Sequence, residues 1–438
     1  MRNLVKLSLA MAVAIATVMS WQQATVYTQA GQISSPRTVP GIDKPVRVVR
    51  GRFTQNVTFT RDTYWVIRGA VFFGEPSRLT IESGTKVIGE TATRGTLVIE
   101  RGAQIIAIGT AAQPIVMTSD QPVGFRNRGD WGGLILNGRA RVNLPGGVGI
   151  GEGSTGQYGG TNDDDSSGIL QYVRVEFAGI EFSPDNELNG IAFQAVGRGT
   201  VVDHIQVHMN KDDGMEFFGG AVDAKHVILT NSGDDNFDWT FGWRGRLQFG
   251  IVLQRGDDAD NGIEADNNGN NNDLLPRSAP QVYNVTFVGD RTSAYGPEGT
   301  DGMRLREGTA GIIRNFILMG WRSDAIDVRN TSTQEQITLG TLQTTHGIIF
   351  GNNSPWNSLA APLIANAGGT VTQVDPMLVA PFNLTAPDFR PMPGSPALTQ
   401  APAIPPADGF FDVALFLGAM GPNVTDDWTR GWTYFVQK

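Results

Sequence analysis

Short strand-like segments recur along this chain, and this repetition restricts its fold more than any other feature. The segment that begins at Leu79 (LTIESGTKVI) is repeated 18 residues later at Leu97 (LVIERGAQII). Each copy is an alternating apolar segment, a Gly turn and a second apolar segment. Further copies begin at Tyr172, His204, His226, Gly250, Asn284, Asn315 and His346. Such self-similarity is typical of a solenoid, in which each coil packs on its neighbours.

A second block follows the first in each repeat and fixes the direction of the strands. It starts with Asn or Asp and has an apolar residue in its third position. Its copies start at Asn189, Asp213, Asp235, Asn261, Asp301 and Asp324. Since the two blocks keep the same order with no helical segment between them, their strands must run parallel, one coil on the next. The sequence therefore predicts an all-β fold, a right-handed parallel β-helix solenoid with capped ends and projecting loops.

The segments outside the repeats give the remaining organisation of the chain. Arg2 and Lys6 precede an apolar run that ends at Met19 and is too short to span a bilayer, as in a secretory signal peptide. Caps are expected at both ends, because an open solenoid exposes strand edges. The predicted parts are a signal peptide at 1–30, an N-terminal cap at 31–75, the β-helix at 76–400 and a C-terminal cap or tail at 401–438. We therefore expect a secreted protein, in the periplasm, on the cell surface or outside the cell.

Charge and cysteine content exclude several classes of function. The net charge is −9, so the basic surface of a nucleic-acid-binding protein is absent. The chain has no Cys, which excludes thiol catalysis, cysteine-ligated zinc and a disulfide framework. No further segment is apolar and long enough for a transmembrane helix. The 55 glycines fit a fold with many tight turns.

Acidic residues recur at the same turn of three successive coils. Parallel coils lie about 4.8 Å apart, where two carboxylates repel by roughly 1 kcal/mol in water and by more in a drier groove. A hard cation with oxygen ligands, Ca²⁺, is the natural counter-charge. The candidate metal ligands are Asp212, Asp234, Asp260, Glu216, Asp238 and Glu264.

Two structural alternatives stand beside the calcium site. The Asn or Asp that starts each second block is expected inside a tight turn, where its side-chain oxygen bonds backbone amides and forms a polar ladder. The acids three residues further on point outward, because alternation turns their apolar neighbours inward. These outward acids, Glu216, Asp238 and Glu264, are either metal ligands or solvated surface groups.

The outward column continues past Glu264 to Arg304 and Asp327. An Arg beside a bound cation is what a β-elimination lyase needs, because the cation neutralises a uronate carboxylate and the Arg accepts the proton of the acidified C–H. On this hypothesis the catalytic candidates are Arg304, Asp238 and Glu264. The alternative is an exposed ion pair, worth about 0–1 kcal/mol.

Aromatic and basic residues share turns in the same coils. Trp239 is expected inward by its parity, whereas two other Trp residues lie in turns beside Arg. Such a turn can bind an acidic glycan through apolar contact with the sugar ring and through charge. The candidate ligand-binding residues are Trp243, Arg244, Arg246, Trp321 and Arg322.

Histidines occur on adjacent coils. His204 and His226 either form a two-His metal site or belong to a ladder of polar side chains. His208 is expected to face outward beside Glu176, where the pair either shuttles protons or extends the ladder.

The coil pattern between residues 75 and 400 resembles the right-handed β-helix group that includes pectate lyases, polygalacturonases and secreted bacterial proteins without an assigned activity. Asp212, Asp213, Asp234 and Asp235 occupy positions similar to the paired acids of polygalacturonases. The Gly-His-Gly and Arg-Ile-Lys elements of that family and the Arg-x-Pro-x-x-Arg signature of pectate lyases are missing. The resemblance implies the fold and leaves the activity open.

These observations predict a calcium-stabilised, non-catalytic β-helix that binds polysaccharide or forms part of a cell-surface assembly. The alternative is a polysaccharide lyase or glycoside hydrolase that acts on an acidic glycan through the stacked acids.

Overall fold

The computed structural model describes residues 29–183, 186–256, 259–290 and 300–438. The predicted signal peptide, apart from residues 29 and 30, lies outside the described residues. Within the described part, 25 strands make up one sheet, and three further pairs of strands are small antiparallel sheets. The strands of the large sheet pair in parallel except for the first, which is antiparallel to the second. The predicted all-β parallel β-helix is confirmed.

The elements follow one another along the chain with few helices. The strands up to residue 137 are β1 (Gln32–Ile33), β2 (Val46–Phe53), β3 (Val57–Phe59), β4 (Tyr64–Phe73), β5 (Arg78–Ile81), β6 (Lys86–Gly89), β7 (Thr96–Ile99), β8 (Gln104–Ile108), β9 (Ile115–Ser119) and β10 (Leu134–Asn137). The strands up to residue 240 are β11 (Val148–Ile150), β12 (Gln157–Gly159), β13 (Gly168–Glu176), β14 (Glu181–Ser183), β15 (Asn186–Glu187), β16 (Ile191–Gln194), β17 (Val201–His208), β18 (Met215–Phe218), β19 (Ala224–Thr230) and β20 (Phe237–Thr240). The remaining strands are β21 (Arg246–Leu253), β22 (Ile263–Ala265), β23 (Gln281–Val288), β24 (Met303–Leu305), β25 (Gly311–Met319), β26 (Asp324–Val328), β27 (Leu342–Phe350), β28 (Ser354–Trp356), β29 (Val371–Thr372), β30 (Leu378–Ala380) and β31 (Asp388–Pro391). The α-helices among the described residues are α1 (Thr331–Thr338), α2 (Ala361–Asn366) and α3 (Pro396–Thr399).

Two columns of parallel strands build the coils from β13 onward. The long-strand column consists of β13, β17, β19, β21, β23, β25 and β27. The short-strand column consists of β16, β18, β20, β22, β24, β26 and β28. Each coil contributes one strand to each column, and this arrangement gives the two sequence blocks their constant order.

A left-handed residue kinks each long strand. In six of the seven predicted repeats from Tyr172 onward, the first residue marks this kink and not the strand start, and in the repeat at Gly250 the kink is one residue earlier, at Phe249. β17, for example, begins at Val201, three residues before His204. The kink residues have φ between 49° and 60°, a region in which Asn and His are enriched. They are Tyr172, His204, His226, Phe249, Asn284, Asn315 and His346. The kink turns the two halves of each long strand onto different sides of the coil.

The interior is a continuous apolar column. Val207, Leu229 and Val252 stack on successive long strands, and Met215 and Phe237 stack on the short ones. All five side chains are buried. Because each inward position is repeated coil after coil, the hydrophobic core extends along the solenoid.

Parallel pairing starts earlier than the sequence predicts. β2 already pairs in parallel with β4, so most of the segment from residue 46 to residue 75 belongs to the coils. The alternation in VRVVRGRF is short and carries three Arg, which hides it from a search for apolar repeats.

The C-terminal residues 401–438, which we call the strap, do not cap the last coil. They run along the outside of the long-strand column. Ala403 bonds Asn315, Asp412 bonds Gln248 and Gly418 bonds Asn315 again, so the strap doubles back before it reaches Gln206 and then Gly124. The predicted C-terminal cap is therefore wrong in position: the apolar residues of the strap cover a lateral face. In the described part of the chain, no helix is apolar and long enough to cross a membrane.

Candidate functional site

The outward acids form one column along the short strands. Glu216 of β18 is in register with Asp238 of β20, and Asp238 is in register with Glu264 of β22. The column continues to Arg304 of β24 and Asp327 of β26. Met215, Phe237 and Ile263 point inward and are buried, which confirms the predicted alternation.

A second column forms the predicted polar ladder. A side-chain oxygen of Asp213 accepts a hydrogen bond from the backbone N–H of Asp235 (3.0 Å). Asp235 accepts in the same way from Asn261 (2.6 Å), and Asn261 from Asp301 (3.0 Å). The last step runs from Asp301 to the N–H of Asp324 (2.9 Å). Each Asp or Asn thus caps the turn of the next coil and ties the coils together.

Carboxylates of the two columns and of the Asp residues that directly precede the ladder, Asp212, Asp234 and Asp260, meet in three groups on the outside of the coils. In each group the candidate ligand atoms lie within 4.8 Å of one another. We call this region the acid face. The three groups are Asp212 with Asp213 and Asp234, Asp213 with Glu216 and Asp238, and Asp234 with Asp235 and Asp260.

The ladder residues Asp213 and Asp235 were missing from the predicted ligand set. Alternation placed them inside a turn, but a carboxylate has two oxygens. One oxygen of each residue serves the ladder, and the carboxyl group still borders the acid face. The paired acids in the sequence were the signal that could have identified them.

Oxygen atoms at the acid face lack hydrogen-bond donors. Oδ1 of Asp238 and Oδ1 of Asp260 are buried without a partner in the described part of the structure. Asn189 is 1% exposed, and its Nδ2 donates to Glu216 Oε2 at 2.6 Å. Its Oδ1 has no partner among the described residues. Buried oxygens without donors are costly unless a cation or water satisfies them.

Burial and mutual repulsion raise the pKa of these acids. Burial is the larger cause for Asp213, Glu216 and Asp238, and neighbouring carboxylates add to it, so their pKa values lie well above the usual range. Burial also raises the pKa of Asp260 and of Glu264 to about 7, although Arg304 and Arg306 oppose it. The acid face therefore favours protons or a cation over a set of bare carboxylates.

In the part of the chain that the structure describes, arginines form ion pairs with the acids at the C-terminal end of the column. Arg304 bonds Asp301 Oδ2 through Nε (3.1 Å) and Nη2 (2.9 Å). It also lies within 4 Å of Asp260, Glu264 and Asp327. Burial lowers the pKa of Arg304, but these carboxylates outweigh it and raise the pKa above the usual value.

This pairing contradicts the catalytic hypothesis for Arg304. A guanidinium that four carboxylates surround holds its proton more tightly, whereas a lyase base must be free to accept one. Arg306 is paired as well, with Glu264 and with Asp266 (2.8 Å). Asp238 and Glu264 thus lose the base with which they were expected to act.

The two turn tryptophans lie in the core, so the prediction that they bind a sugar ring is wrong. Trp243 stacks on Phe217 with 4.0 Å between ring centroids, and its Nε1 donates to Val222 O. Trp321 donates to Phe287 O across the coil interior. Both are fully buried, as is Trp239, whose inward position was predicted.

The neighbouring arginines contact carboxylates of this chain. Arg244 binds Asp163 (3.0 and 3.1 Å), and Arg246 binds Asp223 and Asp408. Arg322 differs, because its Nη1 is buried without a hydrogen-bond partner in the described residues. The predicted Trp–Arg surface for a glycan is therefore not formed.

The histidines form a stack under the strap. His204 and His226 stack at 4.3 Å, and the Nδ1 of each lies within about 3 Å of Asp203. One ring nitrogen of each His and a carboxylate oxygen of Asp203 lie within 4.8 Å of one another, so the two-His metal site and the ladder both stay predictions. His208 is fully buried, and its Nε2 contacts Val436 O at 2.9 Å. It lies in register with Glu176 on the outward side of the strand, as predicted, but the strap covers it.

Comparison with known proteins gives a family for this architecture. The pectate-lyase like beta helix domain matches residues 51–360, and the chain belongs to this family. Searches among curated proteins and among solved structures found no match.

Proposed function

We propose that this protein is a secreted, non-catalytic β-helix whose acid face holds Ca²⁺ and uses it to bind an acidic polysaccharide. One observation carries the proposal. Asp213, Glu216 and Asp238 converge within 4.8 Å, and Oδ1 of Asp238 is buried without a hydrogen-bond partner in the described part of the structure. No arginine of the described residues forms an ion pair with these three carboxylates, although the charge of Arg306 acts on Asp238. A cation would stabilise such a cluster.

The donor set fits a hard divalent ion. Calcium takes six to eight oxygens in flexible geometry, from carboxylates, amide carbonyls and water. Asp213, Glu216 and Asp238 would supply the carboxylates, and Asn189 would supply an amide oxygen that has no donor among the described residues. The site has no His or Cys, the ligands that zinc and copper prefer.

The preference for an acidic polysaccharide follows from charge. A chain of net charge −9 repels a polyanion unless a cation lies between them. Two of the three acidic groups lie between the coils of β18 and β20, and the third lies between the coils of β20 and β22. Successive coils are about 4.8 Å apart. Ions bound between neighbouring pairs of coils can each coordinate a carboxylate of an extended uronate chain on one side and carboxylates of the protein on the other.

Binding without cleavage is the function that the arginines support. A lyase needs a base near the ion, and Arg304 and Arg306 are both paired with carboxylates. Secretion is part of the proposal because of the N-terminal charge and apolar pattern.

Co-sedimentation with polysaccharide tests this function. We expect insoluble calcium polygalacturonate to retain the protein, and a neutral glucan to leave it in solution. Glu216→Gln combined with Asp238→Asn should abolish retention. The matched control is Glu335→Gln, which removes an exposed charge on α1 and should retain binding.

The same assay separates binding from catalysis. We expect no unsaturated uronate and no new reducing ends during the incubation. Cleavage that depends on Ca²⁺ would overturn the non-catalytic proposal, and retention of the double variant at the wild-type level would overturn the proposed site.

A further inference from the structure

The strap is held by side-chain amides of the solenoid that pair with its backbone. Gln248 donates from Nε2 to Asp412 O (2.7 Å), and its Oε1 accepts from Asp412 N (2.8 Å). Gln206 makes the same pair with Tyr434 (2.7 and 2.8 Å). Each amide thus satisfies both backbone groups of one strap residue, as a neighbouring β-strand would.

The pattern repeats further along the face. Asn315 pairs with both backbone groups of Ala403 (2.9 and 2.8 Å), and Asn284 donates to Phe416 O (3.0 Å). Both are kink residues of the long-strand column. Gln206 and Gln248 lie within two residues of a kink, at His204 and Phe249. The long strands therefore present carboxamides at or near their kinks, and these recognise a backbone without regard to its side chains.

Side chains of the strap add selectivity to this backbone recognition. Asp412 pairs with Lys225 (2.9 Å) and Asp408 with Arg246 (2.7 Å). Leu417, Met420 and Trp432 pack in a buried cluster on the outward apolar residues of the long strands. Those outward residues are Ile228, Ile251, Leu253, Val288, Ile317, Met319 and Ile348. A segment that replaces the strap must bring matching acids and apolar residues.

The sheet does not depend on the strap. No residue from 401 to 438 belongs to a strand, so every strand pairing of the solenoid is made without it. A bare face would nevertheless expose the carboxamides of Gln206 and Gln248, which are fully buried under the strap, and an apolar stripe. The strap can therefore leave only when an equivalent segment takes its place.

We propose that this face is a docking surface for an extended peptide, and that the strap of a second copy of this chain is the partner that it takes in exchange. Another copy is the one partner that brings every complementary group in the same order: the acids for Lys225 and Arg246, and the apolar residues for the cluster. Such an exchange links two copies without new contacts, as in domain swapping.

Cleavage of the folded full-length chain tests whether the surface binds a separate strap. A protease site between Pro406 and Ala407, which are both exposed, allows the strap to be cut after folding. We expect the cut fragment to stay bound through gel filtration. An N-terminally labelled synthetic peptide of residues 407–438 should then exchange into the cut protein, and a scrambled peptide of the same composition should not bind.

Substitution of one carboxamide residue tests whether these amides hold the strap. Gln248→Leu removes the hydrogen-bond partners of both backbone groups of Asp412 and should weaken binding of the labelled peptide by about tenfold or more. The control, Gln373→Leu, changes an exposed glutamine outside the face and should leave the affinity unchanged. Circular dichroism of the cut variants verifies that the solenoid stays folded. Loss of the fragment on cleavage, or equal affinity of the two variants, would overturn the docking surface.

Exchange between intact copies is measured with two differently tagged chains. After mixing at high concentration and warming below the unfolding transition, we expect the two tags to co-purify as a dimer. In cut protein whose own strap has been replaced by the synthetic peptide, no strap is joined to the solenoid. This protein should therefore form no such dimer. Failure of intact copies to co-purify, while cut protein binds the peptide, would overturn exchange between copies.

Discussion

Replacing Arg304 by Gln should destabilise the solenoid far more than removing a surface arginine. The side chain is 8% exposed and donates two hydrogen bonds to Asp301, which is 2% exposed. Removal of one partner of a buried ion pair typically costs about 3–5 kcal/mol, because the other charge is left uncompensated. Here Asp260, Glu264 and Asp327 also lose their shared cation, so we expect a loss toward the upper end of that range.

Urea unfolding in the presence of a chelator measures this loss, with Arg68→Gln as the control. Arg68 bonds Glu90 at 2.6 Å but is 47% exposed, so its removal should cost about 0–1 kcal/mol. Added Ca²⁺ should restore part of the stability of Arg304→Gln and none of that of Arg68→Gln. Equal and small losses in both variants would refute the reasoning, because they would mean that water already solvates the carboxylates around Arg304 well enough to make the guanidinium dispensable.

Three further perturbations test other parts of the structure. Burial lowers the pKa of His208 to about 4, so the unfolded chain, with a His pKa near 6.5, binds more protons between these values. The free energy of unfolding should therefore fall by about 3 kcal/mol on account of this residue as the pH decreases from 6.5 to 4. Urea unfolding of His208→Gln over the same pH range should lack this decrease. Trp243→Ala should lower the free energy of unfolding in urea by about 3–5 kcal/mol, since the ring packs in the core. The folded variant should still be retained on polysaccharide, and a loss of retention without a loss of stability would contradict the burial of the ring. Asn261→Ala leaves the buried N–H of Asp301 without an acceptor and should lower the free energy of unfolding by about 1–3 kcal/mol, whereas an unchanged value would argue against the ladder.

The features that repeat from coil to coil could be predicted from the sequence. Strand direction, the inward position of Trp239 and the outward column from Glu216 to Arg304 all follow from the order of the blocks and from alternation. The ladder also follows, because an Asn or Asp at the same turn of each coil has the same neighbours above and below. Periodicity in the sequence is sufficient to predict the position of any residue that contacts only the adjacent coils.

Contacts between segments far apart in sequence could not be predicted in this way. The carboxylate that pairs with Arg244 is Asp163, 81 residues away. Gln206 contacts Tyr434 across 228 residues. The turn that carries Trp243 has no alternation from which to determine its direction, and the indole is inside the coil. These positions depend on the path of loops and of the strap, which no repeat encodes.

Calcium binding by the folded full-length protein is the most direct test of the proposed site. The measurement is a calorimetric titration of Ca²⁺ into chelator-treated protein, compared with Asp238→Asn and with the control Glu335→Gln. We predict saturable binding to the wild type and to the control, and a loss of binding in Asp238→Asn, because its carboxylate oxygen is buried without a donor in the described part of the structure. An absence of heat in the wild type, or an unchanged isotherm in Asp238→Asn, would contradict the account.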